Sequence, residues 1–246
     1  MARIALQLYT IRHECARDLA GAIARVGELG YEGVELFDLY GHTVEDVRGR
    51  LDRAGLAVAG RHARLEDVEE QLPALAQELE TLGSDRLAVS WIDPAWLAEP
   101  ETTVERLAHA AEAARSAGLR LGVHNHAAEL AQLPAGGTFL DRLRELPADL
   151  LWLELDLGWI WFAGADPLAE LTATSGRCPL VHLKDYASRA DRDDVPVGDG
   201  VVGYDRLVPA ALAAGAEWLI AEEDEGAGDP FEAVARSLAG VRRAVP

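Results

Sequence analysis

The chain has 246 residues, of which 49% are hydrophobic and 26% charged, and its 42 acidic side chains against 23 Lys plus Arg give a formal charge of −19. That surplus repels phosphate backbones and anionic membrane surfaces, so nucleic acid is not the expected partner, while the apolar fraction supplies a large core without extended disorder. Cys15 and Cys178 stand far apart in no Cys/His spacing and read as incidental thiols. Met1 leads straight into an alternating segment with none of the parts of a signal peptide, and no run reaches membrane-spanning length. A cytoplasmic protein with no membrane partner is expected.

Taken in chain order, short apolar runs alternate with amphipathic stretches. Arg3 to Tyr9 reads as a first strand, followed by Leu19, Ile23, Val26 and Leu29 at helical spacing, with Gly30 as C-cap. Gly33 to Phe37 precedes a helix that starts near Thr43, where Thr43 and Asp46 form a capping-box pattern and Gly55 ends the helix. Ala57 to Ala63 precedes a helix over about Glu66 to Leu82, and Arg86 to Ile92 precedes one over about Thr103 to Ala117, with Gly83 and Gly118 at the exits. The remaining runs are Arg120 to His126, Leu150 to Asp156, Pro179 to Asp185 and Glu217 to Asp224, with helix starts near Thr138, Asp166, Tyr204 and Asp229. Asp166-Pro167 and Asp229-Pro230 pair a capping carboxylate with a proline that loses no hydrogen bond in the first turn. Strands separated by helices need parallel crossovers, and eight of them in a chain of about 250 residues predict an α/β fold, one (β/α)8 barrel domain over residues 1–246.

In such a barrel the C-terminal strand ends converge on one mouth, so polar residues there are the candidates for chemistry. In the sixth strand Trp152, Glu154 and Asp156 alternate with Leu151, Leu153 and Leu155, which turns Asp156 inward. The same register selects His182 and Lys184 on the seventh strand and Glu222 on the eighth, and the fifth ends in His124-Asn125-His126 with Glu129 just beyond. Carboxylates and an imidazole gathered at one mouth suit a divalent ion, Mn, Mg, Co, Fe or Zn, which would also let the acids coexist away from water. Taken singly, Glu129 and Glu222 read as solvated loop acids, and His62, His124 and His126 as hydrogen-bonded structural histidines. Trp91, Trp159 and Trp161 read as packing or as stacking platforms for a sugar face. Lys184 could pair with Asp185 or another acid, Glu154 reads as a core-facing acid satisfied by a neighbour, and in the run Glu222 to Glu225 only the first member is expected to aim inward.

The strings LQLYTIR (6–12), GYEGVEL (30–36), HNHAAEL (124–130), ELDLGWIWFAGADP (154–167), HLKDY (182–186) and VGDGVVGY (197–204) together resemble the xylose-isomerase-like barrel superfamily. The likeness covers nearly the whole chain and is nearest to the group of sugar phosphate isomerases/epimerases with its relatives, the ketose 3-epimerases and inosose dehydratases. It implies that Glu129, Asp156, His182 and Glu222 bind one divalent metal and that Glu129 and Glu222 face the reacting carbons as the catalytic pair. It implies further that His62, Trp91, His126, Trp159 and Lys184 contact substrate. Relatives often carry histidine three residues beyond the aspartate, where this chain has Trp159. The implied activity is proton transfer by glutamate through an enediolate on a small sugar or polyol, giving isomerisation or epimerisation; the alternative on the same site is an inosose-type dehydration. A sugar-binding or regulatory barrel without turnover is a rival from another class, and a metal-dependent endonuclease would need extra ligands and a basic rim that the sequence does not show. The resemblance leaves a homo-oligomer open.

Overall fold

The computed structural model describes residues 2–190, 192–226 and 228–246. Its strands are β1 (Arg3–Gln7), β2 (Gly33–Leu36), β3 (Ala57–Ala63), β4 (Arg86–Val89), β5 (Arg120–His124), β6 (Trp152–Asp156) and β7 (Leu180–Leu183); then come a short antiparallel ribbon of β8 (Asp185–Tyr186) and β9 (Asp194–Val195), and β10 (Trp218–Ala221). The ribbon aside, neighbours are parallel and follow chain order around a ring that β1 closes against β10, with Ala5 opposite Ile220. The expected (β/α)8 barrel is therefore the fold, and closure leaves its sheet without edges. Among the described residues no helix is long and apolar enough to cross a membrane.

The helices are α1 (Arg12–Leu29), α2 (Val44–Ala54), α3 (Leu65–Leu82), α4 (Pro94–Leu97), α5 (Pro100–Ser116), α6 (Phe139–Glu145), α7 (Leu157–Phe162), α8 (Pro167–Ala173), α9 (Tyr204–Ala213) and α10 (Pro230–Ala244). The two Asp-Pro starts behave as the sequence implies: Asp166 accepts from the Leu168 N–H at 3.0 Å and Asp229 from the Phe231 N–H at 2.8 Å. Thr43 caps α2 by accepting from the Asp46 N–H at 3.3 Å, but Asp46 turns its carboxylate to His42 and Arg50, so that box is half formed. Thr138 and Asp141 make the complete reciprocal box at α6. Several runs are shorter than their alternation suggested. β1 stops at Gln7, whose side chain accepts from the Tyr9 N–H at 3.1 Å and tips Leu8–Ile11 into a 3-10 turn. β4 stops at Val89 ahead of the Asp93-Pro94 start of α4, and α7 is a further short helix immediately after β6.

Period-two alternation sorts the strand residues as expected. Leu153 and Leu155 pack outward in the main core beneath the helices, whereas Trp152, Trp218 and Ile220 fill the lower barrel interior with small neighbours such as Ala5 and Ala59. Two indoles at one level need empty space opposite them. A Cβ on Gly122 would lie 2.4 Å from the Trp152 ring, and one on Gly33 would lie 2.6 Å from that of Trp218. The Arg3 guanidinium stacks 3.8 Å from the Trp218 ring centre. Gly122→Ala is expected to lose about 1–3 kcal/mol of stability by overpacking. Gly49→Ala is the control: it is helical, its Cβ would meet only the Arg53 side chain at 3.6 Å, and it should gain about 0.4–1 kcal/mol. Urea denaturation of both variants checks the pair.

Candidate functional site

Above the tryptophan layer the barrel interior becomes polar. Gln7, Glu35, His62, His124, Glu154 and His182, one from each of β1, β2, β3, β5, β6 and β7, are all buried there. Glu35 is accommodated by an irregular register between β2 and β3: Val34 pairs with Val58, but the next residue, Glu35, pairs with Gly60. A side chain on Gly60 would collide with the Glu35 carboxylate, its Cβ coming within 2.8 Å of Oε1. Glu35 Oε2 accepts from Gln7 Nε2 at 2.9 Å and meets Nε2 of His182 at 2.7 Å and of His62 at 3.0 Å. His62 Nε2 lies 2.6 Å from Glu154 Oε2. Burial alone would raise the Glu35 carboxyl, but the two imidazoles override it and hold it below the usual carboxylate range. Burial also works against charge on His62, yet Glu35 and Glu154 carry its pKa up to about 10. Glu154 is pushed up to about 7 by burial and by the neighbouring Glu35.

One level higher, Asp156, Lys184 and Glu222 crown β6, β7 and β10. Asp156 is both the last residue of β6 and the N-cap of α7: its Oδ1 accepts from the Trp159 N–H at 2.8 Å, while Oδ2 has no hydrogen-bond partner among the described residues. Burial pushes the Asp156 carboxyl up to about 7, with Lys184 and His182 opposing. His182 Nδ1 lies 2.9 Å from Glu222 Oε2, so this ring bridges Glu222 above and Glu35 below. Burial disfavours the charged ring, but Glu154, Glu35 and Glu222 together raise His182 well above its ordinary value. Lys184 Nζ sits 2.9 Å from Asp224, 3.4 Å from Glu222 and 3.7 Å from Asp156. Its partners are thus these three acids, and Asp185 has another task. The Asp185 carboxylate accepts from the backbone N–H groups of Gly198, Gly200 and Val202 at 2.9, 3.0 and 3.1 Å, which ties the HLKDY string to the VGDGVVGY string. Gly158 lets α7 approach closely, since a Cβ there would lie 2.1 Å from the Lys184 carbonyl oxygen.

A cavity of about 690 Å³ opens above these residues at the barrel mouth, lined by His62, His124, His126, Trp91, Trp159 and Glu222 among others. Trp91, 47% exposed, and Trp159 flank His126 with ring centres 5.5 and 5.4 Å away, both edge to face, and form one wall. Burial lowers His124 well below its ordinary value and lowers His126 to about 3, so both rings are neutral. Trp161 instead stacks on Tyr186 at 6.1 Å, outside the cavity lining.

Asp156, His182 and Glu222 therefore converge as the sequence suggested, and the residue that joins them is His124: one ligand-type atom from each of the four lies within 4.8 Å of the others. Glu129 is not in that group. It is buried in the 3-10 turn Ala128–Leu130, its Oε2 accepting from the His126 N–H at 2.8 Å, and burial raises its carboxyl above the ordinary value. A second group, His62, His124, Glu154 and His182, meets the same distance criterion one layer lower. Inward register at the end of β5, where His124 pairs with Glu154, is the signal that points to His124. Glu35 carried a comparable signal in the isolated glycine at position 60 of an otherwise regular strand. The acidic run after β10 corrects an expectation: Glu223 is buried too, accepting from Ser237 Oγ at 2.9 Å, and Asp224 is held by Lys184 and Arg192, so Glu225 is the exposed member.

A closed parallel barrel whose mouth gathers imidazoles and carboxylates around one cavity defines a class of protein that comparison with known sequences makes specific. The chain belongs to the xylose isomerase-like TIM barrel family, whose profile matches residues 23–244. It is 25% identical over 189 residues to an inosose dehydratase of Geobacillus kaustophilus, an alignment that covers 66% of this chain and 60% of that protein. The chain thus spans about 60% of the length of this curated relative. Its fold is that of a sugar phosphate isomerase/epimerase from Parabacteroides distasonis, with a TM-score of 0.82 and 21% identity over 100% of this chain and 96% of the other. A probable 3-DHS dehydratase from Bacillus anthracis superposes with a TM-score of 0.76 and 16% identity over 98% of both chains. At such identities these two likenesses concern the fold.

Because Glu35 neutralises two buried imidazoles at once, Glu35→Ala is expected to cost about 3–5 kcal/mol by leaving buried charge without a partner, and Glu35→Gln less. Guanidinium denaturation of the two variants against the native chain measures both.

Proposed function

We propose that this chain is a divalent-metal-dependent enzyme that moves a proton on the carbon skeleton of a small sugar or polyol, as isomerases and dehydratases do, and that His124, Asp156, His182 and Glu222 hold the ion. The observation that carries this reading is the convergence of one ligand-type atom from each of these four buried residues within 4.8 Å of the others, in a group where Asp156 Oδ2 and His124 Nδ1 make no hydrogen bond among the described residues and have only Lys184 Nζ at 3.7 Å and Glu154 Oε2 at 3.2 Å for charged neighbours. Buried polar atoms are rarely left without a hydrogen bond, and carboxylates and a neutral imidazole brought this close together fit a cation. Two nitrogens and two carboxylates suit Mn, Fe, Co or Zn, and make Mg, which prefers an all-oxygen shell, the poorest fit. When bound, such an ion polarises a chelated hydroxyl or carbonyl oxygen and acidifies the neighbouring C–H.

The chain's own residues supply the rest. Burial would raise the Glu222 carboxyl, but Lys184 and His182 hold it below the usual carboxylate range, so it stands ionised at the cavity wall as the acceptor for that proton. Glu35, on the far nitrogen of His182, fixes the ring's orientation, the part that outer carboxylates play for histidine ligands. Trp91, His126 and Trp159 present ring edges and faces against which the C–H side of a sugar can lie. His62 lines the cavity, and Lys184, 3.4 Å from Glu222, keeps that carboxylate charged.

Glu129 is the other carboxylate that the family resemblance assigns to catalysis and to the metal. Epimerisation by two bases needs acids on opposite faces of the substrate, and of this pair Glu222 lines the cavity whereas Glu129 is folded back on its own turn. That arrangement favours one-carboxylate chemistry, either isomerisation or the dehydration named in the Geobacillus kaustophilus relative, over two-base epimerisation.

Elemental analysis of the purified protein and of single variants tests the ligand set. The native chain and Glu129→Gln should carry a divalent ion, and His124→Ala and Asp156→Asn should lose it. Retention in His124→Ala with loss in Glu129→Gln would return the fourth ligand to Glu129. Incubation of the loaded protein with ketoses and inososes in deuterated water should place deuterium in one of them, and no ion under any loading condition would overturn the metal reading.

A further inference from the structure

We propose that the substrate is a conjugate, a sugar or polyol that carries an aromatic ring, and that Tyr9 and Phe37 receive this ring. This rests on the reading of the cavity as a sugar site and adds what is attached to the sugar. The observation is a pair of aromatic walls on opposite sides of one mouth. Tyr9 lies in the 3-10 turn just beyond β1, Phe37 is the residue after β2, and both line the cavity together with Trp91, His126 and Trp159. In the closed ring β1 stands four places from β5, and β2 four places from β6, in either direction. The loops that carry Tyr9 and Phe37 therefore start opposite those that carry His126 and Trp159.

The second wall is held in place by its own contacts. The Tyr9 and Phe37 ring centres are 5.0 Å apart and those of Phe37 and Tyr40 5.8 Å apart, both pairs edge to face. Arg12 braces the row, its Nη1 donating to the Tyr9 carbonyl at 3.0 Å and its guanidinium lying 4.3 Å from the centre of the Tyr9 ring. Tyr40, which backs Phe37, is the one non-glycine residue with positive φ, 52°, among the described residues, and the Asp38 carboxylate holds the bend by accepting from the Tyr40 N–H at 2.8 Å. Despite this bracing the wall is open to ligand. Of the three large apolar side chains that the described surface exposes, Tyr9 (37%), Trp91 and Val201, the first two line this cavity. Exposed rings gathered at one mouth mark a place for apolar ligand surface. A polyol alone does not use both walls. Its C–H side can lie on His126 and Trp159, but hydroxyls directed the other way meet Phe37, which has no polar atom, and a sector whose Arg12 is already engaged with Tyr9 and whose Arg64 is exposed. An aromatic substituent instead gains edge and face contacts there. The cavity, about 690 Å³, falls within the range of about 300–1,000 Å³ that accepts drug-sized ligands, so it has room for a sugar and a second ring. β1 is the barrel neighbour of β10, so the wall that begins at Tyr9 adjoins the strand that carries Glu222, and a substituent on the reacting skeleton can reach it.

Calorimetric titration of the metal-loaded protein with methyl and phenyl β-glycosides of glucose, galactose, mannose and xylose tests this, with cellobiose and phenol as further probes. For at least one sugar the phenyl glycoside is expected to bind about ten-fold tighter than its methyl partner, the gain from burying one ring, with a more negative heat-capacity change and no weakening as salt is added. That gain should vanish in the Tyr9→Ser, Phe37→Leu double variant, whose metal content stays that of the native chain. Leucine keeps most of the volume packed against Tyr40, and Tyr9→Ser alone, a change at an exposed ring, should remove part of the gain. Equal binding of the methyl and phenyl partners of every sugar, a gain that survives in the double variant, or tighter binding of cellobiose than of phenyl glucoside overturns the inference and leaves the sugar site standing. No saturable binding of any phenyl glycoside at millimolar concentration overturns it as well. Phenol binding as tightly as the phenyl glycosides, and losing that affinity in the double variant, sinks the sugar reading instead and leaves Tyr9 and Phe37 as a ring site.

Discussion

Everything at the mouth of this barrel depends on burying ionisable groups that water cannot reach. Glu35, His62, Glu154 and His182 lie in one layer with almost no exposure, and their charges are tolerable only because each carboxylate sets one oxygen, Oε2, within hydrogen-bond distance of an imidazole nitrogen. The layer is a foundation rather than the reactive surface. It fixes His182 from below through Glu35, and His182 in turn meets Glu222 at the cavity. Acids and imidazoles alternate along the path from Gln7 to Glu222, so no member can be removed without exposing its neighbour's charge to an apolar interior.

The surrounding scaffold is shaped to make that layer possible. Two tryptophans plug the barrel beneath it, and glycines opposite them keep the plug from forcing the strands apart. The slipped register of β2 against β3, with Gly60 at the slip, opens the space that Glu35 occupies. On the C-terminal side, Asp185 gathers three backbone N–H groups of the following loop and so keeps the chain beyond Lys184 from wandering over the mouth. The strings that carry the family likeness are in large part these devices: DY and GDG are one knot, and the glycine of DLG is where α7 touches β7.

Local signals in the sequence were a good guide wherever one short-range interaction decides the outcome. Asp-Pro pairs cap α8 and α10 because a carboxylate can reach the second amide of its own helix and nothing else competes for it. Asp46 had a competing partner in Arg50, and the capping box at α2 stayed half formed. The same contrast separates the acids. Asp156 could be placed from strand alternation alone. Glu129 lies in a turn beyond the strand, where period-two register no longer applies, and its direction is set by the His126 N–H that it accepts. Glu223 looked solvated beside three other acids, yet Ser237 on α10, fourteen residues along the chain, draws it inside.

By itself the sequence determined the class of fold, the order of its strands and which face of each strand turns inward, because these follow from hydrophobic period and from turn residues that act over a few positions. It also marked Asp156, His182 and Glu222 as inward-facing strand ends. Only the tertiary structure decided which groups meet. That His124 rather than Glu129 joins the converging set, and that Glu35 stands behind His182, depend on distances across the ring between strands far apart in the chain. Barrel closure and the β2–β3 register set those distances, and no local pattern of residues encodes them.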